Sequence, residues 1–259
     1  MTREQRHARL LEAVQATGRV KVSDLATGMQ VSEMTVRRDL EELEGRGALT
    51  RVHGGAISNV SRSFEPGFAA RSRLHAEAKQ QIGIAASRLV RDGETVIIDA
   101  GTTTLQVAQH LGGDLRIRAM ALSLFIADAL ADLPNVTLMI PSAQVHQFER
   151  SFVGSATTSM LGQLTFDTAF VTVGGVDAVA GVTEYDFDDA ETKKAALRSA
   201  RRKVVVADSS KLGAVAFVRL CQVGEIDILV TDSAAPPEVI EALRAADVDV
   251  ILAGEEPSR

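Results

Sequence analysis

A chain of 259 residues, 46% of them hydrophobic, can hold one large α/β domain with its own core and a small second domain. Its single cysteine excludes a disulfide framework and points to a reducing compartment, its five histidines lack ligand spacing, and no apolar run reaches the length of a membrane span. The net charge of -6 argues, as an average, against a polyanion partner; yet residues 1–60 hold nine Lys/Arg against eight Asp/Glu, and residues 61–259 hold nineteen against twenty-six. The acid therefore lies in the body, and the head is near neutral with its cations close together in places. With a first segment too charged for a signal peptide, these features predict a cytoplasmic protein with no structural metal, no cofactor and no membrane partner.

Thr2 followed three residues later by Gln5 is a capping-box pattern, and Leu10, Leu11 and Val14 at helical spacing predict a first helix, ended by Gly18. Val20 and Val22 alternate as a short strand. Ser23 is expected to cap a second helix over 24–27, residues 28–31 to turn, and Ser32 to cap a third helix running to about Glu44. Leu49 to Val52 reads as a strand leading into the tight turn His53-Gly54-Gly55. On the third helix Val36, Leu40 and Leu43 share one face, so Met34, Arg38 and Glu41 point away from the core, with Thr35 and Arg37 flanking. This order is that of a winged helix-turn-helix, whose second helix sets its N-terminal residues against base edges. Ser32, Thr35, Arg37 and Arg38 occupy that place. An arginine can grip guanine O6 and N7, while Ser32 and Thr35 suit phosphates or a thymine methyl. Arg51, His53, Gly54 and Gly55 form a wing over the flanking backbone. Alone, the double arginine would read as a solvated face pairing with Asp39, Glu41 and Glu42. The full order of caps, apolar stripe and Gly-Gly wing favours double-stranded DNA.

Residues 58–75, rich in Ser, Asn and Arg with one Pro-Gly, mark a linker between a head over 1–57 and a body over 76–259. In the body, apolar β-branched runs at 95–99, 117–122, 136–140, 168–175, 203–208, 226–232 and 248–253 alternate with helical segments, the pattern of a mainly parallel sheet buried on both faces. Asp99-Ala100-Gly101-Thr102-Thr103-Thr104 lies between the first of these strands and a helix expected to begin near Leu105. Three hydroxyls and free N–H groups behind a glycine form a seat for a phosphate, although threonines also cap helices for structural reasons. Ser123, Gly174-Gly175 with Asp177, and Asp208-Ser209-Ser210-Lys211 follow other strands, and Glu191 and Lys193 lie in a helical segment between. The carboxyl ends of parallel strands share one edge, so these groups can converge on a crevice. Singly, each also reads as a cap, a turn or a surface charge.

The run Val31 to Leu40 and the block Arg51 to Ala56 resemble the DNA-binding signature of the DeoR family, Val-Ser-x-x-Thr-(Ile/Val)-Arg-Arg-Asp-Leu followed by Arg-Val-His-Gly-Gly-Ala. The body resembles the sensor domain of that family through Asp99 to Thr104, Phe166 to Phe170 with Gly174 to Asp177, Glu191 to Lys193, Asp208 to Gly213, and Ile226 to Asp232. The resemblance implies a body similar in fold to ribose-5-phosphate isomerase. It also implies a regulator, most often a repressor of a carbohydrate operon, that binds operator DNA as a homodimer or homotetramer and responds to a phosphorylated metabolite. In the family the Gly-Thr-Thr loop holds the effector phosphate, with acidic and lysine side chains at the sugar hydroxyls; by resemblance these roles fall to Asp99, Gly101, Thr102, Thr103, Thr104, Gly175, Asp177, Glu191, Lys193, Asp208 and Lys211. This chain has Ala121-Leu122-Ser123 where the family has Thr-Asn-Ser, and Pro141-Ser142-Ala143 where a Gly-Gly is common. The alternative is a sugar-phosphate isomerase with Asp177 or Asp208 as base and Lys193 or Lys211 stabilising an enediolate, for which the head is unnecessary.

Overall fold

A computed structural model describes residues 2–254 apart from 18, 46–47, 53, 59–66, 114 and 148, so His53, Gly18 and residues 59–66 of the expected linker lie outside the described residues. The chain forms two compact units, Met1–Leu74 and His75–Arg259. Among the described residues no helix is long and apolar enough to cross a membrane.

In the first unit α1 (Arg3–Thr17), β1 (Arg19–Lys21), α2 (Val22–Met29), α3 (Glu33–Gly45), β2 (Leu49–Val52), β3 (Gly55–Ser58) and α4 (Phe68–Arg73) follow in chain order. The capping box is formed, with the Thr2 N–H donating to Gln5 Oε1 at 3.0 Å and the Gln5 N–H to Thr2 Oγ1 at 3.3 Å. The second helix differs from expectation at both ends. Lys21, not Ser23, precedes its first turn, because Val22 already packs in the core with Leu25 and Ala26; the far end reaches Met29 before Gln30 turns left-handed at φ 54°. The strands pair antiparallel in the order β1-β3-β2, giving the wing. Its two glycines are required. Gly54 sits at φ 77°, and a Cβ on Gly55 would lie 1.9 Å from the Val20 carbonyl. Leu10, Val14, Val36, Leu40, Leu43 and Leu49 are buried together, each worth about 1.5–3 kcal/mol of transfer free energy.

The second unit contains α5 (Ala76–Ser87), β4 (Thr95–Ile98), α6 (Thr102–His110), β5 (Ile117–Ala121), α7 (Leu124–Ala131), β6 (Val136–Met139), β7 (Gln144–Val145), β8 (Phe152–Val153), α8 (Ser155–Leu161), β9 (Phe166–Val171), β10 (Gly175–Asp177), β11 (Gly181–Glu184), α9 (Phe187–Ser199), β12 (Ala200–Val206), β13 (Val218–Cys221), β14 (Ile228–Asp232), α10 (Pro237–Arg244) and β15 (Asp249–Ala253). All seven predicted runs enter one parallel sheet, ordered β15-β14-β12-β9-β4-β5-β6. Both faces are covered, as continuous apolar runs require: Val96 and Ile98 pack on one side and Ile97 on the other.

The run expected over 168–175 is divided. It leaves the ladder after Val171, because the Thr172 N–H donates to the Asp99 carboxylate and the Thr172 carbonyl accepts from Lys193. Gly175 to Asp177 then join a separate antiparallel sheet, β10-β11-β13, that the apolar pattern did not announce. The helix expected near Leu105 begins at Thr102, with the Leu105 N–H already bonded to the Gly101 carbonyl, so the threonines form its first turn.

Candidate functional site

In the head, Ser32 Oγ accepts the Thr35 N–H at 3.1 Å, the capping bond that starts α3, and lies 2.9 Å from the Thr35 hydroxyl. Arg37 and Arg38 are both exposed on this helix. Arg37 is paired one turn back with Glu33 at 3.1 Å, and wing residue Arg51 lies 3.7 Å from Glu41 and 3.9 Å from Glu44. Exposed pairs of this kind are worth less than about 1 kcal/mol, so phosphates can compete for either arginine. Arg38 has no hydrogen-bond or ion-pair partner among the described residues. Gly54 and Gly55 shape the tip of the wing, as described above.

Asp39, which a solvated-face reading of the arginine pair would set among its partners, is buried. Its carboxylate takes Arg6 Nε at 2.6 Å and Nη2 at 3.0 Å from α1, with His7 Nε2 at 3.4 Å. Burial alone would raise this carboxyl, but the Arg6 hydrogen bonds and charge, with His7, hold it below the ordinary carboxylate range. A lowered folded-state pKa gives stability that is fully present above the unfolded value near ~3.9 and is lost as pH falls through the folded one. Asp39→Asn is expected to destabilise the head by about 2 kcal/mol at neutral pH and to flatten its acid dependence. Hydrogen exchange of the α1 and α3 amides in the full chain checks this, and unchanged protection would contradict it.

In the body, the sheet order places the ends of β12, β9, β4 and β5 side by side, so Asp208, Thr172, Asp99 and Ser123 line one edge. Gly101 lies against Thr172, where a Cβ would come within 2.1 Å of the Thr172 methyl. α6 begins with no side-chain cap, leaving its first N–H groups without intrahelical partners. The Thr104 hydroxyl turns back to the Gly101 carbonyl at 3.1 Å. The Thr102 and Thr103 hydroxyls have no hydrogen-bond partner among the described residues, although the two side chains are only 7% and 3% exposed.

Beside this turn lies a buried charge cluster. Lys193 Nζ from α9 donates to Asp99 Oδ2 at 2.5 Å and to the Thr172 carbonyl at 2.8 Å, and sits 3.2 Å from Glu184 on β11. Burial works against the ammonium, but Asp99, Glu184 and Asp189 reverse it and hold Lys193 well above the ordinary lysine range. Lys79 on α5, also buried, lies 4.0 Å from Asp208. Glu184, Asp189 and Lys79 were not singled out from the sequence. A signal existed only for Lys79, which falls on the apolar stripe with Ile82, Gly83 and Ala86.

The other candidates are held in local roles. Asp177 Oδ1 accepts from the Val179 and Ala180 N–H groups at the β10–β11 turn, and Glu191 pairs with Lys194 at 2.9 Å. Ser123 caps α7 through the Ile126 N–H, and Gly175 packs where a Cβ would meet the Ala214 carbonyl at 2.2 Å. Asp208 caps the short turn Ser209–Lys211, whose Lys211 ammonium stands 5.2 Å from the centre of the Tyr185 ring. Burial pushes the Cys221 thiol up to about 11, which keeps it protonated and unreactive at neutral pH.

A winged head and a parallel-sheet body with a hydroxyl-lined helix start are the two parts of a one-chain transcriptional regulator. Residues 6–62 match the DeoR-like helix-turn-helix domain and residues 74–233 the DeoR C terminal sensor domain. The chain belongs to the DeoR family of transcriptional regulators. It is 35% identical to the regulator YgbI of Escherichia coli K12 over 95% of this chain and 96% of that one. It is 31% identical to the regulator GlpR of Haloferax volcanii, again over 95% and 96%. Against the glycerol-3-phosphate regulon repressor of Escherichia coli K12 identity is 28% over 94% and 96%. Among solved structures, ribose 5-phosphate isomerase A of Methanocaldococcus jannaschii overlays 53% of this chain and 55% of its own with 18% identity and a TM-score of 0.40, a level that defines no shared activity. The family is one of regulators, so the isomerase alternative is set aside.

Proposed function

We propose that this chain is a cytoplasmic operator-binding repressor, acting as a homodimer or homotetramer, whose hold on DNA is released when a phosphorylated sugar or polyol enters the body. The observation that carries this reading is the first turn of α6: two threonine hydroxyls, on largely enclosed side chains and without a hydrogen-bond partner among the described residues, at the start of a helix whose first N–H groups have no intrahelical partner. Such a turn suits a phosphate by geometry and by the sign of the helix dipole. The four carboxylates of Asp99, Glu184, Asp189 and Asp208 outnumber the buried lysines, Lys193 and Lys79. Carboxylates repel a phosphate but accept hydroxyl hydrogen bonds. The arrangement therefore supports a ligand with its anion at α6 and its hydroxyls toward the acidic groups, with Lys211 at the rim.

On the head, Ser32, Thr35, Arg37, Arg38 and the wing residues Arg51, His53, Gly54 and Gly55 are the proposed contacts with the duplex. Arg38→Ala is expected to weaken operator binding about five- to a hundredfold and to relax sequence preference, the range set by one bidentate guanine contact. Titration against the duplex upstream of the chain's own gene, repeated with glycerol 3-phosphate and fructose 6-phosphate, tests both halves. No binding to any duplex would overturn the DNA reading; binding insensitive to every phosphorylated compound would overturn the sensor reading.

A further inference from the structure

We infer that Met34 is a base-reading residue, and that it and Arg38 together recognise a thymine and a guanine lying within two base pairs of each other in each operator half-site. This rests on α3 being the helix that enters the groove. Met34 is 75% exposed and is the only exposed large apolar side chain recorded among the described residues of the head. A protein-docking patch would need apolar neighbours, and α3 offers none on that face: Glu33, Arg37 and Glu41 surround it.

Met34 and Arg38 are four residues apart and so stand one above the other on the helix. Ser32 and Thr35 hold each other and the helix cap, while Arg37 and Arg51 stand in weak exposed pairs with Glu33, Glu41 and Glu44 that suit them to phosphates. The outward stripe therefore presents one flexible, polarisable apolar group and one guanidinium without a partner among the described residues. In the major groove these match the C5-methyl of thymine and the O6/N7 edge of guanine. Four helical residues rise about 6 Å, against about 3.4 Å per base step, which sets the spacing of the two bases.

The test uses the full-length protein and a duplex enriched by it from a random-sequence pool. Each thymine of the half-site is replaced in turn by deoxyuridine, which removes only the C5-methyl. For the wild type, one replacement within two base pairs of a required guanine is expected to weaken binding about fourfold, the change that burying one methylene-sized group corresponds to. For Met34→Ala the same replacement is expected to have no effect, and Met34→Leu should restore most of the wild-type response. Replacing that guanine by 7-deazaguanine should weaken wild-type protein and Met34→Ala alike, and leave Arg38→Ala unchanged. An enriched site whose thymine-to-uracil response is the same in wild type and Met34→Ala overturns the assignment of Met34 alone. Failure of the wild type to enrich any sequence overturns the DNA reading and this inference with it.

Discussion

Lys193→Met is expected to be the most damaging single change in the body. It leaves Asp99 and Glu184 buried without the cation that both contact, and it strips the Thr172 carbonyl of its donor. Removing one partner from a buried ion pair costs about 3–5 kcal/mol, because the remaining charge has neither water nor a counter-ion. The pH dependence should change as well. In the wild type the raised Lys193 pKa gives stability that is fully present below the unfolded lysine value, near ~10.4, and is lost only as pH rises through the folded one. Burial holds the Asp99 carboxyl above the ordinary carboxylate range even beside Lys193, and in the variant, without the ammonium, it rises further. The loss of stability as pH rises from about 4, where the unfolded carboxyl ionises and the folded one does not, is therefore larger than in the wild type. Denaturant unfolding of the full chain across pH measures both effects. A loss under about 1 kcal/mol, flat with pH, would mean that the cluster is screened like a surface pair.

Thr103→Glu is expected to abolish the response to phosphorylated compounds while sparing operator binding. A carboxylate at the first turn of α6 is favoured by the helix dipole, by about 0.3–1 kcal/mol, and it fills with fixed charge the place proposed for the phosphate. Position 103 is enclosed, so the near-isosteric Thr103→Val provides a second reading in which only the hydroxyl is lost. Effector affinity should then fall about tenfold or more, the range for a hydrogen bond to a charged group. The measurement is the concentration of glycerol 3-phosphate or fructose 6-phosphate needed to release labelled duplex. Wild-type release curves from both variants would place the anion elsewhere in the body.

The seven strands of the main sheet were legible because each is buried on both faces and reads as an unbroken apolar run. The antiparallel β10-β11-β13 sheet was not, since its strands span three or four residues and carry Gly, Thr, Glu and Arg among their few apolar positions. The α6 turn could be placed from Asp99 to Thr104, but its start was expected too late: threonine reads as a cap, and Gly101 in fact supplies the extended residue before the helix. The charge cluster lay beyond local reading. Lys193 meets Asp99 across 94 residues, and Glu184 reaches it from a strand that the apolar pattern did not reveal. In the head the stripe of Val36, Leu40 and Leu43 was visible, whereas the burial of Asp39 was not, because it depends on Arg6 being 33 residues away on another helix.

Tyr185, against whose ring the Lys211 ammonium rests, is the only tyrosine of a chain without tryptophan. Phenol fluorescence from the intact, unlabelled protein therefore originates at one known location in the body. An operator duplex carrying its own dye reports separately on the head. Following the two signals together measures how far DNA alters effector affinity, and thermodynamic reciprocity requires the effector to alter DNA affinity by the same factor.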